Sequence, residues 1–207
     1  TQTNGFINAV WMTSATNGFM EGDPVGGRWS LWKTTNGGAN WDSTGLYLPQ
    51  SGSEAGWNNS MWLNYPEIWF GTNNSRIYYS TSNGTYWSVQ TTPSNTNIYS
   101  LWFDSISGSA GFAAGDSLRK STNRGSTWLS NPSIGSGNFN SFTGTPQMTL
   151  YWYIRNSSNI YFSNGGMSWN IQYTAPAGLF NHMATFRSGF TGGPGFIYAV
   201  RNSGGIS

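Results

Sequence analysis

Cysteine is absent from this 207-residue chain, histidine occurs once, and charged residues make up only 8%. An average globular domain carries roughly 25% charged residues. The lack of cysteine excludes a disulfide framework, thiolate nucleophiles and cysteine-based zinc spacings. No run of about 18 apolar residues is present, so no helical membrane span is expected. Nine basic against seven acidic side chains give a formal charge of +2. The arginines and lysines are scattered, and no basic run exists to track a nucleic-acid backbone or an anionic bilayer. Neither a P-loop nor a dinucleotide fingerprint occurs. Thr1 opens on no leader-like pattern, as expected of a mature or trimmed secreted chain.

What the chain has in quantity is aromatic side chains, 17% of residues, together with 28 glycines and a polar background of Asn, Ser and Thr. That density of rings can close a core and argues against disorder. Glycine, asparagine and serine beside aromatic and β-branched residues are the composition of strands and turns.

Four segments repeat: Lys33 to Trp41, Tyr79 to Trp87, Lys120 to Trp128 and Tyr161 to Trp169. Their closing tryptophans fall 46, 41 and 41 residues apart. A period of ~40–45 residues is that of a four-stranded propeller blade. Each turn follows a short strand, at Trp29 to Trp32, Arg76 to Tyr79, Leu118 to Lys120 and Asn159 to Phe162. A second strand ends in a small polar residue, as in Gly18 to Asp23, Ile68 to Asn73, Gly111 to Asp116 and Tyr151 to Asn156. Earlier still come apolar inner strands, Phe6 to Met12, Ser60 to Leu63, Ile98 to Phe103 and Phe139 to Thr143, and each Trp opens an outer strand. The expected fold is all-β, a single β-propeller over 1–207 of about five four-stranded blades, with units near 6–50, 57–96, 97–137, 138–180 and a partial 181–207. His182 to Arg187, Phe196 to Val200 and Gly205 to Ser207 begin the last unit, whose turn and outer strand are missing. Its unpaired edge calls for cover. Either Thr1 to Gly5 folds back as the missing strand, or a neighbouring chain supplies it.

The turns resemble the Asp-box, or BNR, repeat of sialidase-type propellers and bacterial surface proteins, whose pattern is roughly Ser/Thr-x-Asp-x-Gly-x-x-Trp. The Asp place holds Asn36, Ser82, Asn123 and Asn164, the Gly place Gly38, Gly84, Gly125 and Gly166, and the Trp place Trp41, Trp87, Trp128 and Trp169. The resemblance implies a secreted or cell-surface, bacterial propeller. Glycine allows φ > 0 in the tight turn, and Asn or Ser bonds nearby backbone N–H groups as Asp does in the family. The tryptophan packs on its own hairpin. These positions read as architecture.

Sialidase chemistry does not transfer with the resemblance. It needs six blades, an arginine triad and a Tyr/Glu pair, whereas the arginines here fall mostly at turns or outer strands. Glycoside hydrolysis in general needs two facing carboxylates. The seven acids are Glu21, Asp23, Asp42, Glu54, Glu67, Asp104 and Asp116, and no pair of them recurs on inner strands. His182 has no evident carboxylate and nucleophile partners. Glu21, Asp23 and Asp116 end second strands, where Asp and Asn oxygens could hold a structural Ca²⁺; turn preference explains the same residues. No cofactor is required otherwise. Sequons at Asn58, Asn73, Asn83 and Asn156 matter only in a glycosylating host.

The expected function is that of a non-catalytic extracellular or cell-surface module that contacts copies of itself or other surface proteins, assembling into filaments or arrays. A lectin-like, glycan-binding propeller is the first alternative, with Trp57, Trp62, Trp69, Trp102 and Trp152 as candidate stacking platforms. A non-catalytic part of a larger secreted glycosidase-like protein is the second.

Overall fold

The computed structural model describes residues 5–145, 149–185 and 197–202. Thr1 to Asn4, Arg187, Phe196 and Gly205 to Ser207, which bear on how the last unit closes, lie outside the described residues. Strands and turns make up the described chain, with no helix. It divides into two compact units, Thr1–Tyr99 and Ser100–Ser207.

The first unit holds two antiparallel sheets. In the first, β1 (Ile7–Met12), β2 (Gly18–Val25) and β3 (Arg28–Thr34) pair in order. In the second, β4 (Gly56–Asn64), β5 (Glu67–Thr72), β6 (Arg76–Ser80) and β7 (Ser88–Thr91) do the same. An outer strand for the first sheet is expected after Trp41. The chain makes isolated bridges there instead, Lys33 with Asp42 and Arg28 with Pro49. Pro49 has no N–H to give a ladder. Leu46 and Leu48 turn inward and join the core between the sheets.

That core shows why the alternation along each strand matters. Ala9, Phe19, Trp29 and Leu31 from the first sheet meet Met61, Leu63, Ile68, Phe70 and Tyr78 from the second. Trp29 lies with its ring centroid 4.8 Å from Phe70 and 5.7 Å from Tyr78, within the range of favourable tilted and edge contacts. Trp11 stands edge-on to Trp62 at 5.0 Å.

The second unit begins within β8 (Ile98–Phe103), which pairs with β9 (Gly111–Gly115), β10 (Leu118–Ser121) and β11 (Leu129–Ser130). A second four-stranded sheet follows: β12 (Ser141–Thr145), β13 (Leu150–Ile154), β14 (Asn159–Asn164) and β15 (Asn170–Thr174). The described remainder is a two-stranded hairpin-like pair, β16 (Phe180–Thr185) with β17 (Ile197–Arg201). Phe112, Phe142, Tyr151 and Trp102 pack ring on ring between the two sheets, Phe112 and Phe142 stacked at 4.4 Å. Phe180, Met183 and Ala199 then cover Trp152 and Ile154.

Candidate functional site

The four turns anticipated from the sequence share one backbone shape. Each has two successive residues at positive φ: Gly37 and Gly38, Asn83 and Gly84, Arg124 and Gly125, Gly165 and Gly166. The first of each pair donates its N–H to the loop before the second strand, at Thr16, Pro66, Ser109 and Thr149, over 2.7–3.0 Å. The amide of the second is met by a hydroxyl. Thr34 Oγ1 accepts from Gly38 N at 2.9 Å, Ser80 Oγ from Gly84 N at 2.9 Å and Ser121 Oγ from Gly125 N at 2.8 Å.

At the Asp place the side chain acts as a second acceptor. Asn36 Oδ1 takes the N–H of Asn40, Ser82 Oγ that of Tyr86 and Asn123 Oδ1 that of Thr127, at 2.8–2.9 Å. The oxygen of Asn or Ser thus performs, uncharged, the local backbone bonding open to a carboxylate. The fourth turn differs. Phe162 stands where the other copies have Thr or Ser, and Ser163, one place on, accepts from Gly166 N at 3.0 Å. Asn164 Oδ1 there accepts from the Thr149 hydroxyl.

The tryptophans close the turns. Trp87 Nε1 donates to Gly84 O at 2.9 Å, and its ring lies 5.1 Å from Phe70 and 6.2 Å from Phe19. Trp169 lies 4.5 Å from Tyr153, and Trp128 5.9 Å from Phe103. Asn131 Nδ2 bonds Gly166 O at 2.8 Å, tying the end of one sheet to the turn of the next. The glycines also allow close approach: a Cβ on Gly84 would stand 2.6 Å from Phe19, and one on Gly166 2.9 Å from Phe112.

A second recurring device was not anticipated from the sequence. Buried serines on inner strands bond to the backbone of the next inner strand. Ser60 Oγ donates to Ile98 O at 2.6 Å. Ser100 Oγ accepts from Phe142 N at 3.1 Å, and Ser141 Oγ from Met183 N at 3.0 Å. Their spacing of 40 and 41 residues matches the turn period and is the signal that could have found them. Ser141 also lies 3.3 Å from His182 Nδ1. Burial lowers the pKa of the imidazole from its usual value. The serine hydroxyl is already held by Met183 N–H, which makes this pair a strand tie.

The carboxylates serve in the same way. Glu54 is buried, accepts from Arg76 Nη1 at 2.9 Å and from Tyr78 Oη at 2.6 Å, and so anchors the long connection after the first sheet. Glu67 accepts from Tyr79 Oη, Asp42 from Thr44 N and Oγ1, and Asp104 from Ile106 N and Ser107 Oγ. Asp23 Oδ1 accepts from Asn8 Nδ2 and from Gly56 N, both at 2.9 Å. Glu21, 1% exposed, takes a longer bond of 3.4 Å from Asn8 Nδ2. Burial first, and the neighbouring Asp23 charge in addition, push its carboxyl up to about 8, although the Asn8 bond opposes the rise. Asp116 lies in the turn between β9 and β10 of the other unit. Among the described residues no group of three or more His, Cys, Asp and Glu could hold a metal ion. A carboxyl raised to about 8 beside one that already accepts two N–H bonds makes a hydrogen-bonded clasp between the first two sheets.

With this geometry in place, the fold aligns with several solved structures. YCF48 bound to D1 peptide matches 99% of this chain and 63% of its own, at a TM-score of 0.66 and 16% identity. The GH74 xyloglucanase from Xanthomonas campestris matches 94% of this chain and 37% of its own, at 0.63 and 12%. The computationally designed Ika8 protein matches 97% and 57%, at 0.65 and 8%. The fold is propeller-like. YCF48 and the GH74 enzymes are β-propeller proteins, and at these identities the likeness concerns fold alone. The chain spans less than two thirds of each solved chain named here. No protein-family model and no curated protein matches it, so the likeness to Asp-boxes rests on the turn residues themselves.

Proposed function

We propose that this chain is a non-catalytic interaction module of the cell exterior, built on a propeller of about five blades and working through contacts with other proteins, copies of itself included. The observation that carries the reading is the fate of its acids. Six of the seven carboxylates are bound to N–H or O–H groups that shape loops and turns. General acid–base chemistry needs such groups facing a substrate. One solved neighbour holds a peptide, in keeping with a binding role on this scaffold. Fold likeness leaves the partner open, and the site must decide it.

Glycan binding is a second reading, favoured by Trp57. Its ring, 36% exposed, stands edge-on to Tyr99 at 4.7 Å, beside the exposed Asn58 and Asn59. An aromatic face with adjacent amides is what sugar stacking and hydroxyl recognition use. Membership of a larger secreted glycosidase-like protein is compatible with the GH74 alignment, which covers 37% of that enzyme.

The test is a pair of assays on the purified chain. Incubation with xyloglucan and with a sialoside is expected to release no sugar above the blank. Turnover abolished by Glu67→Gln or Asp104→Asn would overturn the non-catalytic reading. Binding of the monomer on a glycan array, lost in Trp57→Ala, would transfer the conclusion to the second reading.

A further inference from the structure

The dipeptide Asn-Gly stands in three of the four turns, but in two different frames. In the first and fourth turns the asparagine fills the Asp place and the glycine the first positive-φ place, as Asn36 with Gly37 and Asn164 with Gly165. In the second turn the pair is moved on by one residue. Asn83 itself takes the left-handed place, at φ 52°, and Gly84 follows it. Asparagine before glycine is the step most open to loss of the side-chain amide, because glycine has no side chain to obstruct attack of its own nitrogen on the asparagine Cγ.

The two frames hold the asparagine differently. Asn36 Oδ1 accepts from the Thr34 hydroxyl at 3.0 Å and from Asn40 N at 2.9 Å, and Asn164 Oδ1 from the Thr149 hydroxyl at 3.0 Å. The Asn83 carboxamide has no hydrogen-bond partner among the described residues. The attacking amides differ as well. Gly37 N and Gly165 N point at the carbonyl oxygens of Thr16 and Thr149, at 2.8 and 2.7 Å. A carbonyl only accepts, so it repels a nitrogen that has lost its proton. Gly84 N meets Ser80 Oγ at 2.9 Å, and a hydroxyl can turn round and donate. Asn17 with Gly18, the other described pair of this kind, has its carboxamide on Ser14 Oγ at 3.2 Å and its glycine in the central strand, aligned with Met12 and Thr34.

We propose that Asn83 is a self-modification site, at which the folded chain converts asparagine to aspartate and isoaspartate with water as the co-reactant. Gly84 N gives its proton to hydroxide while the Ser80 hydroxyl turns to donate to the nitrogen anion. The nitrogen bonds to Asn83 Cγ, the Cγ–Nδ2 bond breaks, and Nδ2 leaves as ammonia after taking a proton from water. Water then opens the cyclic imide at either of its carbonyls. Water is consumed, ammonia is released, and nothing is oxidised or reduced. The isoaspartate product runs the main chain through the side-chain carbon and lengthens a turn that has no room for it: a Cβ on Gly84 would already stand 2.6 Å from Phe19. Either product also removes one unit of the +2 charge. This chemistry is independent of what the chain binds.

Asn36 is exposed and Asn83 half-buried, so exposure and bonding predict opposite orders of reaction. The native chain is held for days in mildly alkaline buffer, digested, and read site by site by mass spectrometry that separates aspartate from isoaspartate. A turn held at both the carboxamide and the amide must open locally before it reacts. Conversion at Asn83 should therefore run about tenfold ahead of Asn36 and Asn164, the order of effect that one or two further hydrogen bonds exert. In urea the three sites should converge on one rate. Thr34→Val removes the hydroxyl that Asn36 accepts from, and should raise conversion at Asn36 while leaving Asn83 and Asn164 unchanged. Equal rates at the three sites in the native chain, or Asn36 converting first, would overturn the proposal. A Thr34→Val chain that keeps the parent's circular dichroism and shows no faster conversion at Asn36 would do the same.

Discussion

Replacing Glu21 by Gln should stabilise the protein at neutral pH and do so in a pH-dependent way. Glu21 sits at the interface between the first two sheets, 1% exposed, and its carboxyl is lifted from 4.5 to about 8. An acid with a raised pKa in the folded state holds its proton more tightly there than in the unfolded chain. Its protonated form costs nothing extra below pH 4.5, and the protein then loses stability steadily as pH climbs to about 8, where the loss levels off. At pH 7 the interval above 4.5 corresponds to about 3 kcal/mol at ~1.4 kcal/mol per pH unit. Gln keeps the Oε1 that accepts from Asn8 and cannot ionise; fitting its NH₂ group costs back about 1 kcal/mol. Urea unfolding of both proteins from pH 4 to pH 9, with equal m values, gives the difference directly, because every titrating group not coupled to Glu21 cancels. The variant should gain about 2–3 kcal/mol between pH 4 and pH 7. A difference that stays flat across that range would refute the reasoning.

Gly84→Ala and Gly166→Ala combine a positive φ with a Cβ 2.6 and 2.9 Å from a neighbouring Phe, and thermal unfolding should show losses above about 2 kcal/mol. Gly26→Ala, at φ 63° with open space around it, should lose only about 1 kcal/mol. Ser121→Ala removes the acceptor of the buried Gly125 amide and should cost about 1–3 kcal/mol by chemical denaturation. Glu54→Ala strands the Tyr78 hydroxyl and frees Arg76, for a loss of about 3 kcal/mol in the same assay, discounted for the partly exposed guanidinium.

The period and the turns were legible because glycine and tryptophan are hard to replace where φ is positive and a ring must fill a fixed space. All four turns carry the doubled positive φ. The slipped hydroxyl at Ser163 was hidden because alignment on Asn, Gly and Trp says nothing about which neighbour bonds the glycine. The inner-strand serines were invisible for a related reason: in a chain rich in serine, Ser60, Ser100 and Ser141 stand out only once their backbone partners are known. The bonds of Glu21 and Asp23 to Asn8 and the Gly56 amide were hidden because these partners are distant along the chain. The outer strand after Trp41 failed to form as a ladder because Leu46 and Leu48 are drawn into the core and Pro49 cannot donate.

Amide hydrogen exchange at the turn glycines, followed residue by residue by NMR, tests most directly that the repeat is one structural element used four times. Gly84, Gly125 and Gly166 are each buried with their N–H on a serine oxygen. They should exchange slowly and as a class, with the half-buried Gly38 the fastest of the four. Exchange of all four at the rate of an open loop, or of the buried three at unrelated rates, would contradict the account.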